Sequence, residues 1–374
     1  MTLEAPRIGV LPAGPHDAIT DVAGVAVGHC TLDQGAVQTG ATALLPAPGN
    51  LFLHKLPAGC AVINGFGKSA GLMQVQELGT LESPIVLTST FGVGPAFTAL
   101  VRDAIRATPE LARDLPTLNP VVLECNDGWL NDAQALALTE EHVAQALAQA
   151  RAAQAARDPA VAQGSIGAGR GMSCFGLKGG IGTASRRVAW QGRGFTLGAL
   201  VLANYGRPEA LTLAGRRLGP LLQARAASAA EATRAMTTPA APGSERGSII
   251  IVLATDAPLD ARQLGRVARR AGAGLARTGS DYGHGSGDIA LAFSTAWRVP
   301  QRVDEAAPAV ALLHEAALDG LFQAAAEATE QAIVHALFAA TAVTGRDGHH
   351  RPAFTDLAPD WHERLAHPPQ ESTA

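Results

Sequence analysis

Gly247-Ser248-Ile249-Ile250-Ile251-Val252-Leu253-Ala254-Thr255 is the most informative segment of this 374-residue chain. The run from Ser248 to Thr255 is almost continuously apolar and rich in β-branched residues, which is typical of a strand buried on both faces. The stretch before it, 226–246, is rich in Ala, Thr, Pro and Ser and is predicted to be a flexible linker. A flexible linker therefore runs directly into a central buried strand, with Gly-Ser at the junction.

The Gly247-Ser248 junction has the residue types that a self-cleaving hydrolase needs. A serine hydroxyl can attack the carbonyl group of the preceding residue and form an ester, which water then cleaves. Gly247 lacks a Cβ atom and tolerates the unusual backbone angles of such an attack. Cleavage would leave Ser248 with a free α-amine of reference pKa about 8, which can act as a base beside its own hydroxyl. Taken alone, the dipeptide fits the ordinary end of a loop better.

The segment Tyr282–Ile289 offers a second set of polar groups. Alternate side chains of a strand share a face, so Ser286 and Asp288 can lie together and orient a neighbouring nucleophile. His284 leaves a Ser/His/Asp triad open as an alternative. A glycine-rich turn whose polar residues bond to their own backbone explains the segment equally well.

Two further polar segments follow predicted strands. Glu124 or Asp127, after the run Val121–Leu123, can hold a substrate ammonium through a charge-assisted hydrogen bond. Asn204, after the predicted strand Phe195–Leu202, can donate to an oxyanion. Each segment also has the composition of a simple turn, and Asn131 or Asp132 that of a helix N-cap.

The remaining pattern predicts a mixed α and β protein. Gly, Pro and Asn separate short apolar runs in the first half, as expected for strands and turns. Helical spacing then predicts helices, of which Glu305–Ala340 is expected to hold two, broken near Gly320. The predicted strands are Val22–Val27, Ala41–Leu45, Ala61–Ile63, Ile85–Leu87, Val121–Leu123, Phe195–Leu202 and Ile289–Ser294, and the other predicted helices are Pro95–Ala107, Asp132–Ala156 and Leu259–Arg277.

Composition argues against several classes of function. The formal charge of −4 gives no electrostatic reason to bind nucleic acid. The apolar runs are too short for a membrane helix, and no secretory signal is visible, so a soluble, cytoplasmic protein is expected. The 41 glycines and the scarcity of aromatic residues predict closely packed layers.

No cofactor or metal is expected. The Gly167–Met172 stretch fails the GxGxxG spacing, which argues against a dinucleotide. The four cysteines form no CxxC pair and are expected to be buried thiols. The adjacent His349 and His350 are interpreted as part of a solvated turn rather than as metal ligands.

Taken in order, these segments resemble the L-aminopeptidase/D-esterase family, the DmpA-like peptidase family S58 that includes the β-aminopeptidases. The resemblance covers the chain from about Ile19 to Gly348. Each motif is short, but their joint order is specific. The motifs are Ile19–His29, Asn64–Lys68, Glu124–Asp132, Ala203–Gly206, Gly247-Ser248, Gly285–Asp288 with Ala292–Thr295, and Thr344–Gly348.

The resemblance implies an αββα four-layer fold and a precursor that cleaves itself into an α chain, 1–247, and a β chain, 248–374. By position, Ser248 matches the nucleophile, and Ser286 and Asp288 match the pair that assists it. Some relatives carry Glu at the position of Asp288. Asn204 matches the oxyanion donor, and Glu124 matches the residue that binds the substrate amine.

The resemblance also implies a homo-oligomer of αβ units that acts on small peptides, amides or esters. His284 is then not a triad base. Two related enzyme groups stay open as alternatives, the ornithine acetyltransferases and the nylon-oligomer hydrolases, although both usually carry Thr where Ser248 stands. A protein of the same fold that no longer cleaves itself and acts only in binding is the non-enzymatic alternative.

Overall fold

The computed structural model describes residues 4–233, 246–306 and 309–366. Nine long strands and eight helices form its framework. The strands are β1 (Ala26–Gln34), β2 (Val37–Leu45), β3 (His54–Gly65), β4 (Ile85–Ser89), β5 (Val121–Cys125), β6 (Gly180–Trp190), β7 (Arg193–Asn204), β8 (Arg246–Thr255) and β9 (Gly285–Ser294). The helices are α1 (Leu72–Leu78), α2 (Val93–Ala107), α3 (Glu140–Ala156), α4 (Gly219–Thr233), α5 (Ala261–Arg277), α6 (Leu318–Ala339), α7 (Phe354–Leu357) and α8 (Trp361–Ala366).

The long strands form two sheets. The first has the order β1-β2-β4-β5, in which only the β4–β5 pair is parallel. The second has the order β3-β9-β8-β7-β6, in which only the β8–β9 pair is parallel. The strand β8 therefore lies in the middle of the second sheet, between β7 and β9. Two-residue strands complete the set, at Thr80–Leu81, Ser173–Cys174, Leu177–Lys178, Thr212–Leu213, Arg216–Arg217, Val299–Pro300, Val343–Thr344 and His350–Arg351.

The side chains of β8 alternate between two apolar cores. Ile249 and Ile251 belong to the core that the second sheet shares with α5 and α6. Ile250 and Val252 belong to the core between the two sheets, with Leu87 of the first sheet. Both faces of β8 are thus buried, which confirms the prediction made from its β-branched run.

Helices cover the outer face of each sheet. The helix α3 packs on β1 and β2, and α6 packs on β6 and β7. The predicted αββα sandwich is confirmed. Small residues bring the layers close together, because a Cβ atom added at Gly182 would lie 1.9 Å from the carbonyl oxygen of Ala332 in α6. None of the helices in the described ranges has the length and apolar character that a membrane span requires.

Several predicted element boundaries differ from the structure. The two helices expected within Glu305–Ala340 are one helix, α6, preceded by the 3-10 turn Glu315–Ala317. Gly320 does not break α6. It lies in the first turn, where an added Cβ atom would come within 2.7 Å of Val188, so its role is close packing against β6.

Other differences concern where elements begin. The helix α3 begins at Glu140 rather than Asp132, because Thr139 caps it. The strand expected at Val22 begins at Ala26. The helix α4 occupies the start of the predicted linker as far as Thr233, and residues 234–245 lie outside the described residues.

Candidate active site

The Gly247-Ser248 junction lies near the beginning of β8, where three strands come together. Ser248 is paired with Asn204 at the end of β7 and with Gly287 near the beginning of β9. Strand pairing therefore brings together three segments that are far apart in the sequence. Ser248 is only 3% exposed, so the residue is almost completely buried.

The Ser248 hydroxyl lies against the peptide bond that it is predicted to cut. Its Oγ donates a hydrogen bond of 2.6 Å to the carbonyl oxygen of Gly247. The backbone N–H of Gly287 donates to the same Oγ at 3.3 Å. A Cβ atom at Gly287 would lie 3.0 Å from that Oγ, so glycine makes room for the hydroxyl. The group of the Gly285–Asp288 motif that bonds to Ser248 is thus a backbone N–H.

Gly247 occupies a position that only glycine can take without strain. Its φ of 150° is in a region that residues with a side chain rarely adopt. A Cβ atom there would lie 2.2 Å from the carbonyl oxygen of Asn204 and 2.8 Å from the Cα of Tyr205. The backbone before Ser248 therefore approaches β7 more closely than any other residue type would allow.

Ser286 and Asp288 form a hydrogen-bonded pair on the neighbouring strand β9. Ser286 Oγ donates to Asp288 Oδ1 at 2.6 Å, and both residues are fully buried. The register pairs Ser286 with Gly247, on the amino side of the predicted cut. The two polar side chains thus lie together, one strand away from the junction. The sequence analysis expected them to share a face of their strand.

The carboxamide of Asn204 is held by two backbone groups. Its Oδ1 accepts from the N–H of Ser173 at 2.8 Å, and its Nδ2 donates to the carbonyl oxygen of Asn126 at 2.9 Å. An amide nitrogen carries two hydrogens, and Asn126 takes one of them. Asn204 therefore lies at the register position of Ser248 with a fixed orientation.

A cavity of about 480 Å³ opens beside the Ser248 hydroxyl. Glu124 contributes a carboxylate to it, although this residue is only 3% exposed. The carboxylate accepts hydrogen bonds from the backbone N–H of Lys68, at 2.7 Å, and from the hydroxyl of Thr90. The cavity is lined by Phe66, Lys68, Thr90, Glu124, Asn126, Gly247, Ser248, His284 and Gly285. A serine hydroxyl and a buried carboxylate thus face one space.

The structure separates the two acidic residues that the sequence left as alternatives. Glu124 lines the cavity, whereas Asp127 is buried beneath the loop that follows β5. Asn131 Nδ2 donates to Asp127 Oδ1 at 3.2 Å. Burial raises the pKa of Asp127 from 3.8 to about 6. Asp132 accepts from the N–H of Gln134 and so caps a short 3-10 helix, as one of the turn interpretations expected.

Three cavity residues were not singled out individually by the sequence analysis. Thr90 follows β4, which runs parallel to β5, so the two strands end at the same edge and bring Thr90 to Glu124. Phe66 and Lys68 follow β3, and the Lys68 ammonium lies 4.6 Å from the centre of the Phe66 ring. The parallel β4–β5 pairing was the missing signal, because local composition does not reveal which strands are neighbours.

The remaining question about the site is whether its histidines or acidic residues could hold a metal ion. Within the described ranges no group of three or more His, Cys, Asp or Glu residues is arranged to hold a metal ion. His284 lines the cavity, with its ring 6.1 Å from that of Phe66. His349 stacks on Trp129 at 4.1 Å, so it is part of a packed contact rather than a solvated turn.

Comparison with known proteins gives a consistent result across most of the chain. The sequence model of peptidase family S58 matches residues 17–351. A β-peptidyl aminopeptidase, BapA, from Sphingosinicella microcystinivorans is 39% identical over 349 residues, which cover 90% of this chain and 85% of that protein.

Two solved structures share both the fold and much of the sequence. A β-aminopeptidase from a Burkholderia species has 38% identity and a TM-score of 0.84, with 97% of this chain and 98% of that chain covered. An L-aminopeptidase D-Ala-esterase/amidase from Ochrobactrum anthropi, described as a variant of the Ntn hydrolase fold, has 34% identity and a TM-score of 0.81. That match covers 96% of this chain and 97% of the other.

Proposed function

The chain belongs to peptidase family S58, and on that basis we propose that it is a self-processing aminopeptidase whose nucleophile is Ser248. It cuts itself between Gly247 and Ser248, and the new amino terminus then releases amino-terminal residues from small peptides, amides and esters. The observation that carries this proposal is the 2.6 Å hydrogen bond from Ser248 Oγ to the carbonyl oxygen of Gly247.

Self-cleavage begins with attack of Ser248 Oγ on the carbonyl carbon of Gly247. The Oγ–C bond forms, the C–N bond breaks, and the hydroxyl proton ends on the released α-amine. Water then hydrolyses the ester, which leaves a carboxylate on Gly247 and restores the Ser248 hydroxyl. The glycine at residue 247 supports this step, because a Cβ atom there would clash with the backbone of Asn204 and Tyr205 and displace the carbonyl that lies against the hydroxyl.

The same groups serve the reaction with substrate. The Glu124 carboxylate binds the substrate ammonium, and the Ser248 hydroxyl attacks the substrate carbonyl. The Oγ–C bond forms, the C–N or C–O bond to the leaving group breaks, and the amine or alcohol leaves with the proton that the hydroxyl gave up. Water then hydrolyses the ester, which releases the acid and restores the Ser248 hydroxyl. The free α-amine of Ser248, with a reference pKa of about 8, accepts the hydroxyl proton. Ser286 and Asp288 act from β9 on the freed terminus, since Ser286 is paired with the residue that leaves.

Asn204 stabilises the negative charge that develops on the substrate oxygen. The Asn204 amide nitrogen has two hydrogens. One is donated to the Asn126 carbonyl, and the other is donated to the oxyanion. One such donor typically lowers the barrier by about 3–4 kcal/mol. The relatives named as β-aminopeptidases and as an L-aminopeptidase D-Ala-esterase/amidase support an amine-bearing substrate with an amide or ester bond.

Intact-mass spectrometry of the purified protein tests this proposal. The 38.3 kDa chain is expected to give two fragments that meet at Gly247/Ser248, and Ser248→Ala is expected to stay whole. Ser294→Ala is the matched control, because it removes another buried hydroxyl of the same sheet, in a residue paired with Thr255 at the far end of β8. It should be cut like the wild type. A wild-type chain that stays whole after prolonged incubation would overturn the proposal and favour the binding-protein alternative.

A further inference from the structure

Lys178 is a fully buried lysine that the proposed mechanism does not use. It lies in the two-residue strand Leu177–Lys178 and is 0% exposed. Its Nζ donates to the carbonyl oxygens of Gly169 at 2.8 Å, Met172 at 2.9 Å and Gly179 at 2.8 Å. An ammonium group has three hydrogens, so three backbone carbonyls satisfy all of them. Burial lowers the pKa of Lys178 well below its ordinary value, whereas hydrogen bonds to three carbonyl oxygens favour the charged ammonium form.

Two of the three carbonyls belong to the turn that supports Asn204. Gly169 and Met172 belong to the turn that ends at Ser173, whose N–H donates to Asn204 Oδ1. Gly179 is on the other side, and its N–H donates to the carbonyl of Met172 at 3.0 Å. The ammonium therefore joins this turn to Gly179 close to Ser173, the residue that contacts Asn204.

The contact with Ser173 determines which way the Asn204 carboxamide faces. A backbone N–H can only donate, so the atom facing Ser173 is the oxygen Oδ1. The carbonyl of Asn126 can only accept, so the atom facing it is the nitrogen Nδ2. If the turn that carries Ser173 moved, the carboxamide could rotate and present its oxygen where a donor is needed.

We propose that Lys178 is a positioning residue that fixes the turn 169–173 and thereby orients the Asn204 carboxamide towards the reaction centre. This inference rests on the proposed function, in which Asn204 donates to the oxyanion. Charged donors make the strongest hydrogen bonds to carbonyls, which explains why a buried ammonium is retained there despite the cost of removing it from water. A purely structural lysine would stabilise the fold without acting through Asn204.

A double-mutant cycle of Lys178→Met and Asn204→Ala separates these two roles. The rate of self-cleavage is measured on fresh precursor, and kcat and KM on fully cleaved protein, each well below the melting temperature of the variant. We expect Lys178→Met to lower kcat by roughly 10- to 100-fold, because small misplacements cost that much, with KM within about twofold. In the Asn204→Ala background the same change should have little further effect.

Arg186→Met is the matched control for a buried cation. Arg186 is also 0% exposed and donates to the carbonyls of Ser185 and Ile8 and to the Asp17 carboxylate. It is paired with Leu197, away from the end of β7 where Asn204 lies. This variant should lose stability without the kcat effect, and any change should be the same with and without Asn204. Equal, additive effects of Lys178→Met and Arg186→Met would overturn the proposal.

Ser173→Pro provides a second variant if Lys178→Met does not fold. Proline removes the N–H that donates to Asn204 Oδ1, and it leaves the ammonium in place. It also removes the hydroxyl that accepts from Arg351 Nε, and Ser173→Ala is the control for that loss. We expect Ser173→Pro to lower kcat as much as Lys178→Met does, and to have little further effect in the Asn204→Ala background. A kcat equal to that of the wild type would overturn it. An uncut wild-type chain would instead remove the proposed function, and this inference with it.

Discussion

At the scale of single residues, the site depends on where two nearby carboxylates are placed. Glu124 is the last residue but one of β5, and its carboxylate lines the cavity and accepts from Lys68 and Thr90. Asp127 follows three positions later and points beneath the loop instead, where burial raises its pKa to about 6. Only the first is placed to meet a substrate ammonium next to Ser248.

Glu124→Gln tests this placement. The change keeps the size and the hydrogen-bond acceptor but removes the charge, so kcat/KM for a substrate with a free amine should fall by roughly 10- to 100-fold, as expected for loss of a charge-assisted bond. An N-acetylated analogue of the same substrate should be hydrolysed equally by both proteins. Steady-state kinetics with Asp127→Asn as the control checks it. An equal loss in that variant would contradict the assigned role.

Some features of the site could be predicted from the sequence, and others could not. The position of Ser248 near the beginning of a buried strand was predictable because Gly-Ser stands between a polar stretch and a β-branched run. Glu124 and Asp127 could not be told apart, since both follow the same strand and only packing decides which one faces the cavity. Thr90 was missed because its place depends on the pairing of β4 with β5.

At the scale of an element, the loop after β5 is held from both sides. The carboxylate of Asp127 accepts from Asn131 beneath it. From above, Arg346 Nε donates to the carbonyl of Gly128 at 2.7 Å, and the His349 ring stacks on Trp129. This explains why the Thr344–Gly348 motif, far away in the sequence, belongs with the site. It fixes the loop that follows the strand end where Glu124 lies.

Asp127 gives this loop a pH-dependent contribution to stability. Its folded pKa of about 6 is above the ordinary value of 3.8, so the folded state favours the protonated form. That stabilisation is complete below about pH 4 and is lost as the pH rises through about 6. We expect the free energy of unfolding to fall across this window by up to about 3 kcal/mol more in the wild type than in Asp127→Asn. Urea unfolding of the two proteins at several pH values measures it. Parallel curves would contradict it.

Elements with a regular apolar pattern were predicted well, and glycine-rich ones were not. The strand β8 and the helix α5 agree with their predicted positions to within a few residues. The strand β6 was missed because its first residues, Gly180-Ile181-Gly182, have the composition of a loop. Glycine is needed there for close approach to α6, a tertiary requirement that local propensity does not contain.

At the scale of the whole molecule, the two predicted chains share one sheet. The strand β9 and all of β8 except its first two residues, Arg246 and Gly247, lie after the proposed cut, and β3, β7 and β6 lie before it. The order β3-β9-β8-β7-β6 therefore places the two later strands between earlier ones on both sides. The helices α5 and α6 also come from the later part and pack against β3 and β6. Neither chain can keep a complete core alone.

We therefore expect the cleaved chains to stay together without a covalent link. Separation would break the β7–β8 and β3–β9 ladders and expose the core between the sheets. Size-exclusion chromatography should give one peak that contains both fragments even at about 10 nM protein, the range of a tight obligate interface. Uncut Ser248→Ala should elute at the same volume. Guanidinium at a denaturing concentration should release the fragments together with loss of the fold, because the interface and the hydrophobic core are the same contacts. Separate native peaks would mean that each chain folds on its own, which the interleaved sheet contradicts.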